Sequence, residues 1–422
     1  MKRNLRLFIL LGMCSLSLIA CGKKDEEENA DTVDTTEQVA FDDVEVEDYT
    51  VLSYSELEVL AYESDTEAQV MLGRMLEYGT EDVKQNFYEA ISWYQMASDS
   101  GNADGTCSLG YFYLNGAGVE KDLDKAESLF NQAIEGGSVN AKVGLARVKL
   151  AKGGYDSYFD SDESQNDSEL DSEESDSTNL KVVTEKADKD DEAQTENTDL
   201  EEIIDLLKVA KEAGDLDASY YLGRMYEVGL GVSQDYKEAF DYFNRVVKSP
   251  SNALNDRDAI NLSNIAIGLM YAKGIGVEAN SETAMEYFTT ASNNNSAKAS
   301  YYIGLMYEKG VGIDRDYEKA MEYYLKAADL SYAPALNQIG YLYYNGYGVD
   351  VDFASAVYYQ KLAALQGYSI AQVNLGFLYE NGYGVERNLE TALSYYEMAA
   401  TSGYEGAEEA VTRVKAQINE EM

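Results

Sequence analysis

Tyr301 to Ala328 reads YYIGLMYEKGVGIDRDYEKAMEYYLKAA, and three glycines sit in it among strong helix formers. A helix built to stand alone would avoid them, since each costs about 1 kcal/mol of helix propensity against alanine. The pattern returns from Ile339 as IGYLYYNGYGVDVDFASAVYYQKLAA and from Leu375 as LGFLYENGYGVERNLETALSYYEMAA. The marker glycines Gly304, Gly340 and Gly376 are 36 residues apart. A fixed period of that size marks units that cannot bury their apolar faces alone and must stack. Within one unit, Ile303, Met306 and Tyr307 share a face of a first helix. Gly310-Val311-Gly312 turns the chain, and Ala320, Tyr323, Tyr324 and Ala327 recur at the spacing of a second helix. The reading is an all-α solenoid of about eight 36-residue helix-turn-helix repeats, in which Gly304 and Ala320 let neighbouring helices approach.

The same marker extends toward the amino terminus as Gly268, Gly223, Gly110 and Gly73. The longer step from Gly223 to Gly268 is taken up by the turn-rich SPSNALNDRD. Asn86, Asp122, Asp235, Asn280, Asp316, Asp352 and Asn388 each stand four residues before the small residue opening a second helix, and are expected to cap it. Asp199, with Glu202 three residues on, continues that series. The first helix of this remaining third repeat is AKVGLARVKLAKGG, with Ala146 in the marker position. From Ala146 the cap is due at 158 but comes at 199, so about 41 residues are inserted. That insertion is rich in Asp, Glu and Ser, and its composition predicts disorder. Within it DSDESQNDSELD only faintly matches an EF-hand loop, because Gln165 stands where glycine is needed and Asp171 where glutamate closes the site. Weak, diffuse attraction of divalent cations is expected there, with no specific metal site and no cofactor.

The first residues, MKRNLRLFILLGMCSLSLIACGKK, place Lys2, Arg3 and Arg6 before an apolar run from Leu7 to Ala20. That run is too short for a spanning helix, which needs about 20 residues, and fits an export signal. Leu18-Ile19-Ala20-Cys21 resembles the lipobox of bacterial lipoproteins, which implies lipidation of Cys21. Cys14 would leave with the signal, so Cys107 is alone and no internal disulfide is expected. The divisions follow: signal peptide 1–20; lipidated acidic linker 21–50, reaching on the order of 30 Å; repeats one, two and the first helix of three over 51–155; acidic insertion 156–198; the rest of the repeats over 199–406; and a capping helix over 407–422.

The recurrent Leu-Gly, Tyr, Gly-x-Gly-Val, Ala and paired aromatics at this period are similar to the Sel-one-like repeat family, relatives of the tetratricopeptide arrays. The match runs from about Ala68 to Gly403. Repeat one departs from it with Gly79-Thr80-Glu81, and repeat three lacks the marker glycine. The resemblance implies a helical superhelix that binds proteins or peptides and organises complexes. Some exported, cysteine-rich members are linked to penicillin binding or β-lactamase-like activity, but their paired cysteines are absent from this chain.

Composition excludes several functions. The chain has no histidine, which removes His-dependent nucleophile pairs and His-based zinc sites, and no catalytic motif replaces them. Enzyme activity is not expected. With 33 Lys and Arg against 77 Asp and Glu, the net charge of −44 disfavours nucleic acid. The expected partner is a protein or peptide, met at the bacterial cell envelope by a chain held to the membrane through lipid only, extracellular in a single-membrane cell and periplasmic where there are two. An envelope enzyme or wall-glycan-processing accessory lipoprotein, and an acidic cation-binding surface protein, are the alternatives. Side chains that vary between repeats are the better binding candidates. One residue after the marker come Arg74, Tyr111, Arg224, Leu269, Leu305, Tyr341 and Phe377. Two residues before it come Met71, Ser108, Tyr221, Ala266, Tyr302, Gln338 and Asn374, on the same helix face. Repeats six to eight follow the consensus best, which selects Tyr302 with Leu305, Gln338 with Tyr341, and Asn374 with Phe377 as the expected partner-binding set.

Overall fold

A computed structural model describes residues 48–80, 82–155, 192–250 and 256–421, with 192–198 described by backbone alone. The export signal, Cys21, most of the acidic linker and residues 156–191 of the insertion lie outside the described residues. Residues 48–422 form one unit, and its described part contains 18 α-helices and no strand.

The first helices of the repeats are α2 (Thr66–Tyr78), α4 (Ala103–Asn115), α6 (Ala141–Lys152), α8 (Leu216–Val228), α10 (Arg257–Lys273), α12 (Ala297–Lys309), α14 (Ala333–Asn345) and α16 (Ser369–Asn381). Their partners are α3 (Phe87–Asp99), α5 (Leu123–Glu135), α7 (Glu192–Glu212), α9 (Tyr236–Val247), α11 (Ser281–Asn293), α13 (Tyr317–Ala328), α15 (Phe353–Leu365) and α17 (Leu389–Thr401). Each helix packs on the one before and the one after it. A helix that the repeat pattern did not announce, α1 (Tyr54–Tyr62), precedes the array and buries Leu57 and Ala61 against repeat one. The fold also reaches slightly into the predicted linker, where Asp48 caps a short 3-10 turn and the Tyr49 hydroxyl donates to Asp65 at 2.8 Å.

The marker glycines make room for a ring. A Cβ on Gly304 would lie 2.5 Å from Cε1 of Tyr324, and one on Gly268 would lie 2.6 Å from Cε1 of Phe288. In both cases the ring stands 20 residues later, on the second helix of the same repeat. The expectation that glycine admits a neighbouring backbone is therefore refined: it admits a fully buried aromatic side chain. In repeat seven the corresponding residue is Gln360, whose amide donates to the Asn337 carbonyl at 3.1 Å. Behind these contacts runs a ladder of stacked tyrosines, among them Tyr226 on Tyr242, Tyr307 on Tyr323 and Tyr379 on Tyr395, with ring planes within 18° and centroids 5.6 to 5.9 Å apart.

The split repeat is present. Ala146 shares a core cluster with Leu207, which stands 61 residues on, the usual 20 and the 41 expected for the insertion. Seven of the predicted caps, from Asn86 to Asn388, have extended backbones, and their side-chain oxygens accept N–H groups of the first helical turn. Asp199 does not cap: α7 begins at Glu192, and Asp199 is exposed within it. Glu192-Ala193-Gln194 are good helix formers that carry the helix back into the predicted insertion, and N–H groups inside a helix are already taken by its own carbonyls.

The array closes on α18 (Ala407–Glu421), as expected of a polar capping helix. Arg413 and Gln417 donate to the Glu380 carboxylate at 2.8 and 3.2 Å, and the Tyr396 hydroxyl donates at 2.9 Å. Burial opposes ionisation of Glu380, but these donors outweigh it and hold the carboxyl below its usual value.

Candidate functional site

The variable positions of the first helices converge on one cavity in the front half of the array. Arg74 of α2, Tyr111 of α4 and Arg147 of α6 stand one residue after the marker, and Ser108 of α4 and Tyr221 of α8 two residues before it. All five line a concavity of about 380 Å³ between α2, α4, α6, α8 and the start of α10. On its wall the Arg147 guanidinium lies 5.5 Å from the ring centroids of both Tyr111 and Tyr221 and donates to Asn115 Oδ1 at 3.2 Å. Two aromatic faces thus attract one cation, each contact contributing on the order of 1 kcal/mol.

The rest of the wall is acidic. Six carboxylates, those of Glu77, Asp104, Asp215, Asp217, Asp256 and Asp258, meet the two guanidinium groups of Arg74 and Arg147. Some are satisfied locally: Glu77 accepts from the Tyr94 hydroxyl at 2.7 Å, Asp104 from Ser138 at 2.9 Å, and Asp215 caps α8 through the Ala218 N–H. Among the described residues, the carboxylates of Asp217 and Asp258 have no hydrogen bond or ion pair. Burial, reinforced by neighbouring Asp215, pushes the Asp217 carboxyl up to about 7 despite the opposing Arg147; Asp258 and Asp256 add to the rise. Burial also raises Asp258, against Arg257 and Arg147, and raises Asp215 and Glu77 against the groups that donate to them. Protein surrounds Asp217, but water reaches it through the cavity. Cys107 also lies on this wall, and burial lifts its thiol to about 12, far from reactive thiolate.

The binding set expected in repeats six to eight fares differently. Tyr302 is 2% exposed and stacks on Phe288 at 5.4 Å, and Leu305 is 1% exposed in the same core. Both serve packing and offer no surface to a partner. Gln338 is 6% exposed and accepts from the Asn337 amide, and the half-buried Asn374 donates to Asn337 Oδ1 at 2.9 Å. Tyr302 thus packs on a second helix, while Gln338 and Asn374 bond to the preceding first helix, Gln338 to Glu308 at 3.4 Å. Only Tyr341 and Phe377, each 41% exposed, reach the surface. They join further rings there, Tyr341 beside Tyr347 at 5.9 Å and Phe377 beside Tyr383 at 5.9 Å.

The variable register positions thus line a cavity in repeats one to four, whereas in repeats six to eight Tyr302, Leu305 and Gln338 are buried and Tyr341 and Phe377 remain exposed. Arg147 could have been found by continuing the series through Ala146. Asp217 and Asp258 carry no such signal, since acidic residues in a first helical turn are ordinary complements to the helix dipole.

Helix pairs stacked by a recurrent glycine and ring, with a concave face of unrepeated side chains, define an α-solenoid of the helical-repeat class. The profile of the Sel1 repeat matches residues 66–102, 103–138, 216–245, 262–296, 297–332, 333–368 and 369–404, more than half of the sequence, and the chain belongs to that family. The split third repeat falls between the second and third matches. Among solved structures, the chain is similar to a Sel1 repeat protein from Oxalobacter formigenes, with 22% identity over 85% of this chain and 90% of that one and a TM-score of 0.49. It is similar too to a protective antigen of uropathogenic Escherichia coli with an SLR fold, at 21% identity over 87% and 68% of the two chains and a TM-score of 0.43. Sel1 repeat proteins generally mediate protein–protein interactions, and their fold is typically a non-enzymatic scaffold.

Proposed function

We propose that this protein is an exported, lipid-anchored scaffold that engages a protein or peptide partner at the bacterial cell envelope. The observation that carries the interaction is the front cavity, where five repeats contribute side chains that the repeat itself does not require. Arg147, Tyr111 and Tyr221 stand at positions that vary between repeats and here line an open cavity with the unpaired aspartates, where a partner could reach them. Tyr341 and Phe377 would supply a second, aromatic contact farther along. The anchor rests on the basic and apolar leader ending in Leu18-Ile19-Ala20-Cys21. No helix among the described residues is long and apolar enough to cross a membrane. Two acyl chains make a stable anchor, at about 0.8 kcal/mol per buried CH₂.

Metabolic labelling with a clickable fatty acid tests the anchor: the parent chain should incorporate label and sediment with membranes, and Cys21→Ala should do neither. Continued labelling of that variant would contradict it. A photoreactive residue in place of Tyr341 should crosslink one discrete protein in intact cells, and a smear without a preferred partner would contradict the scaffold reading.

A further inference from the structure

We propose that the cavity between α2, α4, α6, α8 and α10 receives the guanidinium of an arginine side chain presented by a bound protein or peptide. The inference rests on the scaffold reading and deepens it by naming the chemistry that the concave site recognises.

Three independent features point to this ligand. The walls already hold one guanidinium: the Arg147 group lies over both the Tyr111 and Tyr221 rings, 5.5 Å from each centroid, within the range of cation–π attraction. The acceptors for a second cation are in place, because half-buried Asp217 and exposed Asp258 both line the cavity without a hydrogen bond or ion pair among the described residues. At the half-buried position of Asp217 an unpaired carboxylate costs more than at the open surface and gains more from a cation. Finally, the space fits. A volume of about 380 Å³ lies within the range of small-ligand sites and exceeds what one side chain fills.

A bare metal ion is the poorer fit, because no three acidic or thiol groups among the described residues are gathered as ligands could be. Six carboxylates against two guanidinium groups leave a strongly negative wall, and its tyrosine faces suit an organic cation. Arginine is favoured over lysine: its planar head stacks on rings, donates in a fork to carboxylates and sheds water more readily than a compact ammonium.

The experiment is calorimetric titration of the full chain with acetyl-Gly-Arg-Gly-amide, alongside the same peptide carrying lysine or citrulline, the uncharged isostere of arginine. The arginine peptide should bind saturably at one site per chain, with lysine weaker and citrulline silent. Asp217→Asn with Asp258→Asn should weaken it about tenfold or more, as expected for lost charge-assisted hydrogen bonds. Glu286→Gln with Glu322→Gln, which removes the same charge from exposed second-helix positions, should leave it unchanged. Equal losses in the two double variants would assign the binding to the diffuse acidic surface and overturn the proposal. So would lysine binding as tightly as arginine, or unchanged affinity in the aspartate variant. Because the probe is synthetic, its failure overturns the cavity assignment alone, and the scaffold reading falls only by the crosslinking result above.

Discussion

Tyr221 and Tyr302 occupy the same position, two residues before the marker glycine, yet the first lines an open cavity while the second is sealed in the core. In the front half of the array the neighbouring variable positions are Arg74, Ser108, Tyr111 and Arg147, and they face a space shared by five helices. In the back half, Tyr302, Leu305 and Gln338 are buried, the first two in one core cluster. Repeat register thus sets where a side chain points, but what stands opposite sets whether it packs or remains available. In the half nearer consensus these positions are buried, and in the half that departs from it they line the cavity. Functional sites are often where local rules are broken.

This contrast predicts unequal costs for equivalent changes. Tyr302→Ala should be the most damaging, destabilising by about 3–5 kcal/mol in denaturant titration, as expected when a fully buried ring is removed. A cost below about 1 kcal/mol would show that the back-half position is not core. Gly304→Ala should destabilise by about 1–3 kcal/mol, because the added methyl meets the Tyr324 ring and outweighs the gain of about 1 kcal/mol in helix propensity. Stabilisation by this change would contradict the ring-accommodating role. Tyr341→Ala and Phe377→Ala should move stability by no more than about 0.5 kcal/mol, since both rings are substantially exposed. Early melting of either would place them in the core with Tyr302.

Much of the fold was legible in the sequence for a physical reason. Glycine, ring, cap and turn serve the stacking of most repeats, so Gly304, Tyr324, Asp316 and Gly310 have counterparts along most of the chain, with local replacements such as Gln360 for the ring. Even the interrupted repeat kept its register through Ala146 and Leu207. Helix α1 was missed because it lacks a repeat partner, and Asp199 misled because a capping residue type is also tolerated on an exposed helix face. The site was less legible. Asp217 belongs to a first helical turn that looks like any other, and its importance comes from Arg147, Asp215 and Asp258, which lie on it from three helices or their caps. No spacing in one sequence reports that convergence.

The central claim is that the front half holds uncompensated negative charge that weakens the fold and awaits a cation. Asp217 carries it most clearly, since its carboxyl is pushed up to about 7 in the folded chain while an unfolded aspartate titrates near 4 (about 3.9). For an acid raised in this way, the stability that its neutral form allows is complete below about pH 4 and is lost as pH rises through about 7. The decisive measurement is therefore the unfolding midpoint of Asp217→Asn relative to the parent chain, followed from pH 4 to pH 8 without ligand. The account predicts no difference near pH 4, and an advantage in midpoint for the variant that grows as pH rises through about 7 and levels off by about pH 8. A pH-independent difference, or a variant less stable than the parent at pH 8, would contradict it.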